Sequence, residues 1–283
     1  MGFYTPNLKA QNNLLLDDGK APVDRFIAGQ KITGVYGAFD PLHCSQIAKN
    51  KYVPDMLPED TVIKTLSSGK KIKVAGNIKI LNKIIGTALD KLNQNGDVLT
   101  QNKHICTGFY QDERAKNGNA LSLYYGYLKF DFKLIQYLYD LPDSKRSSWV
   151  FDFLALHEFA HQLQYWNGDE EIIKAIKQQQ SSKVSELAAD CTASALISLL
   201  NINLSNDLYK MSFVGVFGAA EALGDFDIDA QTHHGTPKER VKAAQYGEYL
   251  VSSQKDSLLN KNLKLTSKSL LLSCNSYINL TMN

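Results

Sequence analysis

Residues 154–164, reading Leu-Ala-Leu-His-Glu-Phe-Ala-His-Gln-Leu-Gln, constrain this chain more than any other stretch. The run is apolar and free of glycine and proline, which predicts a core helix over residues 147–166, stopped by Asn167-Gly168. Within it, His157, Glu158 and His161 form His-Glu-x-x-His. Residues four apart share a helical face at about 6 Å, so both imidazoles can reach one ion. Glu158 then sits beside the first ligand, where it can take a proton from a water without itself binding the metal. Histidines and a glutamate placed in a Phe/Leu/Ala face merely for packing would each need a buried partner. The motif therefore predicts a metal site with a general base, the arrangement a zinc peptidase requires.

A second predicted helix, residues 181–200, carries Ser185-Glu186-Leu187-Ala188-Ala189-Asp190-Cys191. Glu186 and Asp190 share one face among alanines and leucines, and a carboxylate buried there is costly unless a cation or hydrogen bonds compensate it. Glu186 is expected as the third metal ligand, with Asp190 holding the ring N–H of a ligand histidine.

Further along, residues 211–224 predict an apolar helix. Asp225-Phe226-Asp227-Ile228-Asp229 has calcium-like alternation but lacks the loop glycine and the closing glutamate, so it reads as a solvated loop. In Thr232-His233-His234-Gly235-Thr236-Pro237-Lys238-Glu239-Arg240, Thr236 is an N-cap, Pro237 the first helical residue and Glu239 completes a capping box. A turn at that helix mouth can deliver His234 (or His233) to the metal, where it would donate to the oxyanion of a tetrahedral intermediate.

Upstream, residues 1–65 hold five of the seven prolines and predict an irregular N-terminal extension. Gly34-Val35-Tyr36-Gly37-Ala38-Phe39-Asp40-Pro41-Leu42-His43 resembles the opening of nucleotidyltransferases. The second histidine of that motif is replaced by Cys44-Ser45-Gln46, and no alternation of strands and helices follows. Residues 70–93 give a helical apolar stripe, ended by Asn93-Gln94-Asn95-Gly96-Asp97. Residues 98–106 and 119–132 predict two strands around a polar loop at 111–119, and the strand nearer the metal helix offers an edge to which an extended peptide can add. Residues 252–283, rich in Ser, Lys, Leu and Asn, predict a peripheral tail.

Composition narrows the function classes. A net charge of +2 gives no basis for nucleic-acid binding, and no window reaches the roughly 18 apolar residues of a membrane span. The first nine residues lack the pattern of a signal peptide, so a soluble chain is expected, cytoplasmic by default, with a secreted or periplasmic location also open. The four cysteines, at 44, 106, 191 and 274, form no Cys-x-x-Cys, which excludes a zinc knuckle and a disulfide-dense scaffold and leaves room for one bridge. Cys191 is expected as a small buried residue.

Three blocks in fixed order, His157-Glu158-Phe159-Ala160-His161, Glu186-Leu187-Ala188-Ala189-Asp190-Cys191 and His234-Gly235-Thr236-Pro237-x-x-Arg240-Val241, resemble a bacterial neutral zinc metallopeptidase family of gluzincin type over about residues 70–250. The resemblance implies zinc ligands at His157, His161 and Glu186, a general base at Glu158, a supporting Asp190 and an active-site His234. It departs in two respects: the N-terminal membrane anchor common in the family is not visible, and Gly108-Phe109-Tyr110 is followed by Gln111-Asp112 where Cys-Pro is expected.

The expected fold is an α+β zincin-like domain over residues 66–251, with a small, mostly antiparallel sheet on the His-Glu-x-x-His helix. The expected activity is hydrolysis of peptide bonds in a peptide or protein substrate with a Zn2+ cofactor. The alternative is a catalytically idle zinc-binding module that presents or captures peptides, against which the presence of Glu158 argues.

Overall fold

The computed structural model describes residues 57–281 apart from 59, 66–68, 102, 112–119, 124–125, 141–147, 169–182 and 225–233. The extension at residues 1–56, the nucleotidyltransferase-like stretch with His43, the loop at 112–119, the aspartates at 225–229 and His233 lie outside the described residues.

Five strands and eight helices follow one another among the described residues: β1 (Val62–Thr65), β2 (Lys71–Lys73), α1 (Val74–Gln94), β3 (Cys106–Tyr110), β4 (Ala120–Leu123), β5 (Tyr127–Asp131), α2 (Phe132–Asp140), α3 (Ser148–Trp166), α4 (Lys183–Asn201), α5 (Asn206–Ala222), α6 (Pro237–Ser252), α7 (Lys255–Leu259) and α8 (Ser267–Thr281). The fold is α+β, helix-rich with little sheet. Strands β1 and β2 pair antiparallel, and a second sheet has the order β3-β5-β4. Its β4–β5 ladder is antiparallel and its β3–β5 ladder parallel, so the sheet that packs on α3 is mixed.

Helix α3 is buried almost all round, which marks a helix enclosed by others rather than one lying on a surface. Its neighbours are α1, α4, α5 and strand β4. Helix α4 is enclosed in the same way: every residue from Ser185 to Asn201 is buried. The core runs through both, joining Phe153, Leu156, Phe159 and Leu163 of α3 to Leu196, Ile197 and Leu200 of α4 and to Leu81, Ile85 and Leu89 of α1.

Local chemistry explains where the elements depart from the expected ones. Residues 98–106 are β-rich, yet the strand begins only at Cys106. Asp97 takes the backbone N–H of Leu99 at 2.9 Å and Thr100 donates to the Asn93 side chain at 2.9 Å, so turn chemistry wins over strand propensity. The single strand expected at 119–132 divides into β4 and β5, with Gly126 at φ +78° between them. Phe132 then starts a helix, because Asp131 accepts the N–H of Lys133 at 2.8 Å and caps it. Residues 62–65, expected to be irregular, form β1.

The expected peripheral tail is largely helix. Leu270, Leu271, Cys274 and Ile278 of α8 are buried, and Cys274 forms a disulfide with Cys191 on α4. The N-terminus of α8 is held by Asp97, whose Oδ2 accepts from Ser267 N at 2.6 Å, while Asn95 donates to Leu265 O at 2.8 Å. Cys191 is buried as expected, as half of this bridge; Cys106 is disulfide-bonded as well.

Candidate metal centre

The capping box on α6 fixes one wall of the site. Thr236 N donates to Glu239 Oε2 at 2.9 Å, Glu239 N donates back to Thr236 Oγ1 at 3.3 Å, and Pro237 supplies the preset φ at the first turn. Lys183 at the start of α4 pairs with Glu239 at 2.9 Å and so joins the mouths of α4 and α6. Gly235 precedes the cap at φ +99° with its α-carbon against Leu187 of α4, a position where a side chain would be both strained and crowded. Lower down, a Cβ on Gly247 would come within 2.0 Å of the Cys191 carbonyl oxygen, so the two helices meet backbone to backbone.

This framework brings the expected ligands together. His157 Nε2 lies 3.2 Å from Glu186 Oε2, and His161 Nε2 lies 3.4 Å from Glu186 Oε1. One ligand atom from each of His157, His161 and Glu186 lies within 4.8 Å of the other two, a grouping that could hold one cation. As numbering rises along α3 it falls along α4 (His157 meets Asp190 and His161 meets Glu186), so the two helices are antiparallel.

Each imidazole is oriented through its other nitrogen. His157 Nδ1–H donates to Asp190 Oδ1 at 2.8 Å, and His161 Nδ1–H donates to Gln164 Oε1 at 2.8 Å. That assignment turns both Nε2 lone pairs toward the Glu186 carboxylate. Lone pairs facing a carboxylate repel unless a cation, either a proton or a metal ion, stands between them. The residues present therefore fit the implied group: two imidazole nitrogens and a carboxylate oxygen, mutually facing, with His157 and Glu186 buried and His161 half-buried, are a donor set suited to zinc.

Burial works to lower the His157 pKa, but its hydrogen bonds with Asp190 and Glu186 outweigh it and push the imidazole up to about 10. Burial opposes ionisation of Glu186, yet the His161 charge and hydrogen bonds from three histidines hold its carboxyl well below the usual range. Burial lifts Glu158 above its ordinary value, an effect reduced by the charges of His157 and His161. Glu158 is 4% exposed, on the same helix turn as His157.

Asp190 has a second partner that the sequence motif contained without explaining. Arg240 grips it with two hydrogen bonds, Nε to Oδ2 at 2.6 Å and Nη2 to Oδ1 at 2.7 Å, and donates Nη1 to Leu223 O at 2.8 Å. Burial opposes the charge on Asp190, but the Arg240 guanidinium keeps its pKa low. His234 lies at the rim with its side chain 37% exposed, Nδ1 3.3 Å from Glu186 Oε2, and that hydrogen bond raises its pKa. All six expected residues, His157, Glu158, His161, Glu186, Asp190 and His234, thus converge on the junction of α3, α4 and the mouth of α6.

Sequence reasoning missed two contributors. Gln164 was readable in principle, because it stands three residues after His161 and so on the same face. The role of Arg240 was not, because its contact with Asp190 spans 50 residues of chain. No helix among the described residues is long and apolar enough to cross a membrane. Compared with protein-family models, curated proteins and solved structures, the chain matches none.

Proposed function

We propose that this protein is a zinc-dependent peptidase that hydrolyses peptide bonds in a peptide or protein substrate. The observation that carries the reading is the convergence of the His157 and His161 Nε2 atoms on the Glu186 carboxylate, with a buried carboxylate, Glu158, adjacent in the chain to His157. A zinc ion held there would supply Lewis acidity, polarising a scissile carbonyl and making a water acidic enough to attack near neutral pH. Glu158 receives the proton of the attacking water and returns it to the leaving amine, work for which its burial-raised pKa suits it. His234, partly exposed and with a raised pKa, donates a hydrogen bond to the developing oxyanion. Asp190 and Arg240 keep the His157 ring from rotating.

Strand β4 supports the choice of an extended substrate. It is one of the two outer strands of its sheet among the described residues, it packs on α3, and Ser122 receives a hydrogen bond from Gln162 of the motif helix at 2.5 Å. A peptide lying along that edge would run beside the ligand helix.

The test is Glu158→Gln, which removes the base while keeping a similar shape. Expected is full zinc content with hydrolysis of a peptide library reduced by at least about a hundredfold. Equal hydrolysis by variant and wild type overturns the mechanism. A wild type that binds zinc and cleaves nothing overturns the enzyme reading in favour of a peptide-capturing module.

A further inference from the structure

We propose that Gln164 is a positioning residue for both halves of the metal site, aligning the second histidine ligand and setting the register of the helix that carries the carboxylate. The inference rests on the metal-site reading above and deepens it. Gln164 is completely buried on α3, one turn beyond His161. Its Oε1 accepts from His161 Nδ1 at 2.8 Å, and its Nε2 donates to the carbonyl of Ser185 at 3.1 Å. Ser185 is the residue immediately before Glu186.

A primary amide is the uncharged side chain that accepts at one end and donates at the other, which this bridge demands. The accepting end forces His161 to carry its proton on Nδ1 and leaves Nε2 open toward Glu186. The donating end ties the backbone of α4 to α3 at the point where Glu186 must face the histidines. His157 receives the corresponding service from Asp190 and Arg240, two charged groups, whereas His161 and the start of α4 share this one neutral side chain. Its removal would leave the Ser185 carbonyl without that donor and the His161 ring free to turn or to carry its proton on the other nitrogen.

The two ends can be separated by substitution. Gln164→Met is close in volume and abolishes both hydrogen bonds. Gln164→Glu keeps an acceptor for His161 Nδ1 but cannot donate to Ser185. Gln162→Met is the control, since Gln162 is equally buried on the same helix and its amide points to Ser122 on β4. Zinc affinity would be measured by competition with a chromogenic chelator, folding by thermal melting of the metal-free proteins, and ligand geometry by the visible spectrum of the cobalt(II)-substituted forms.

Expected is a loss of zinc affinity of about ten- to a hundredfold for Gln164→Met with an altered cobalt spectrum, a smaller loss for Gln164→Glu, and wild-type affinity and spectrum for Gln162→Met. The proposal is overturned if the folded Gln164 variants bind zinc as wild type does, or if Gln162→Met loses as much affinity. Should Gln164→Met fail to fold, Gln164→Glu decides by the same measurements. If the wild type itself takes up no zinc, the metal-site reading falls, and that arm is read independently of any variant.

Discussion

Arg240 reaches into the interior from α6, 3% exposed, and meets a carboxylate that is 0% exposed. A buried pair of this kind adds little relative to well-packed apolar residues, but breaking it leaves an uncompensated charge and costs about 3–5 kcal/mol. Arg240→Met should therefore destabilise the metal-free protein by about that amount in urea denaturation, while adding Asp190→Asn should cost less than the sum of the two single changes. Strict additivity would show that the two side chains do not act as a unit. At this scale the His-Glu-x-x-His and Glu-x-x-x-Asp spacings could be read directly, because helical geometry alone puts their members on common faces. What could not be read were the groups that hold those members still. The contact of Arg240 with Asp190 and the bond from Gln164 to Ser185 exist because two helices pack together, and no local periodicity encodes such a packing.

Helix α3 carries one feature that its chemistry does not use. Asp152 is 2% exposed, and its Oδ2 has no hydrogen-bond partner among the described residues. Burial raises its pKa well above the ordinary value of 3.8. The folded state then keeps a proton that the unfolded chain releases, so stability falls as pH rises from the unfolded pKa, about 4, toward the folded one. Asp152→Asn should flatten that decline and raise stability at neutral pH, as measured by urea denaturation from pH 4 to 8. An equally steep decline in the variant would contradict this. The elements themselves were legible where burial is periodic or complete, as in α1, α3 and α4, and where a cap announces a start, as at Thr236-Pro237. They were not where a side chain captures the backbone. Asp97 and Asp131 each take a nearby N–H and so redraw a strand boundary that residue propensity alone puts elsewhere.

Across the whole molecule, α8 ties the end of the described chain to α4. The Cys191–Cys274 disulfide closes a separation of 83 residues, one position after Asp190. A smaller cluster of Leu187, Ala188, Ala243 and Ile278 packs around it, flanked by the stacked rings of Tyr246 and Tyr277 at 3.8 Å. Replacing both cysteines by alanine should cost about 2–4 kcal/mol, seen as a lower melting temperature, because the unfolded chain regains the freedom of a long loop. An unchanged melting temperature would show that the bridge does not restrain this fold. Composition alone suggested a tail here, since the serine- and lysine-rich stretch reveals its apolar stripe only once α4 is there to receive it.

On the proposed reading, α3 and α4 together hold one zinc ion through His157, His161 and Glu186. Elemental analysis of purified protein after dialysis, with Glu186→Ala beside the wild type, tests it most directly. Expected is about one zinc per chain in the wild type and a loss of most of it in the folded variant. Equal zinc in both proteins, or none in the wild type after zinc is supplied, would contradict it.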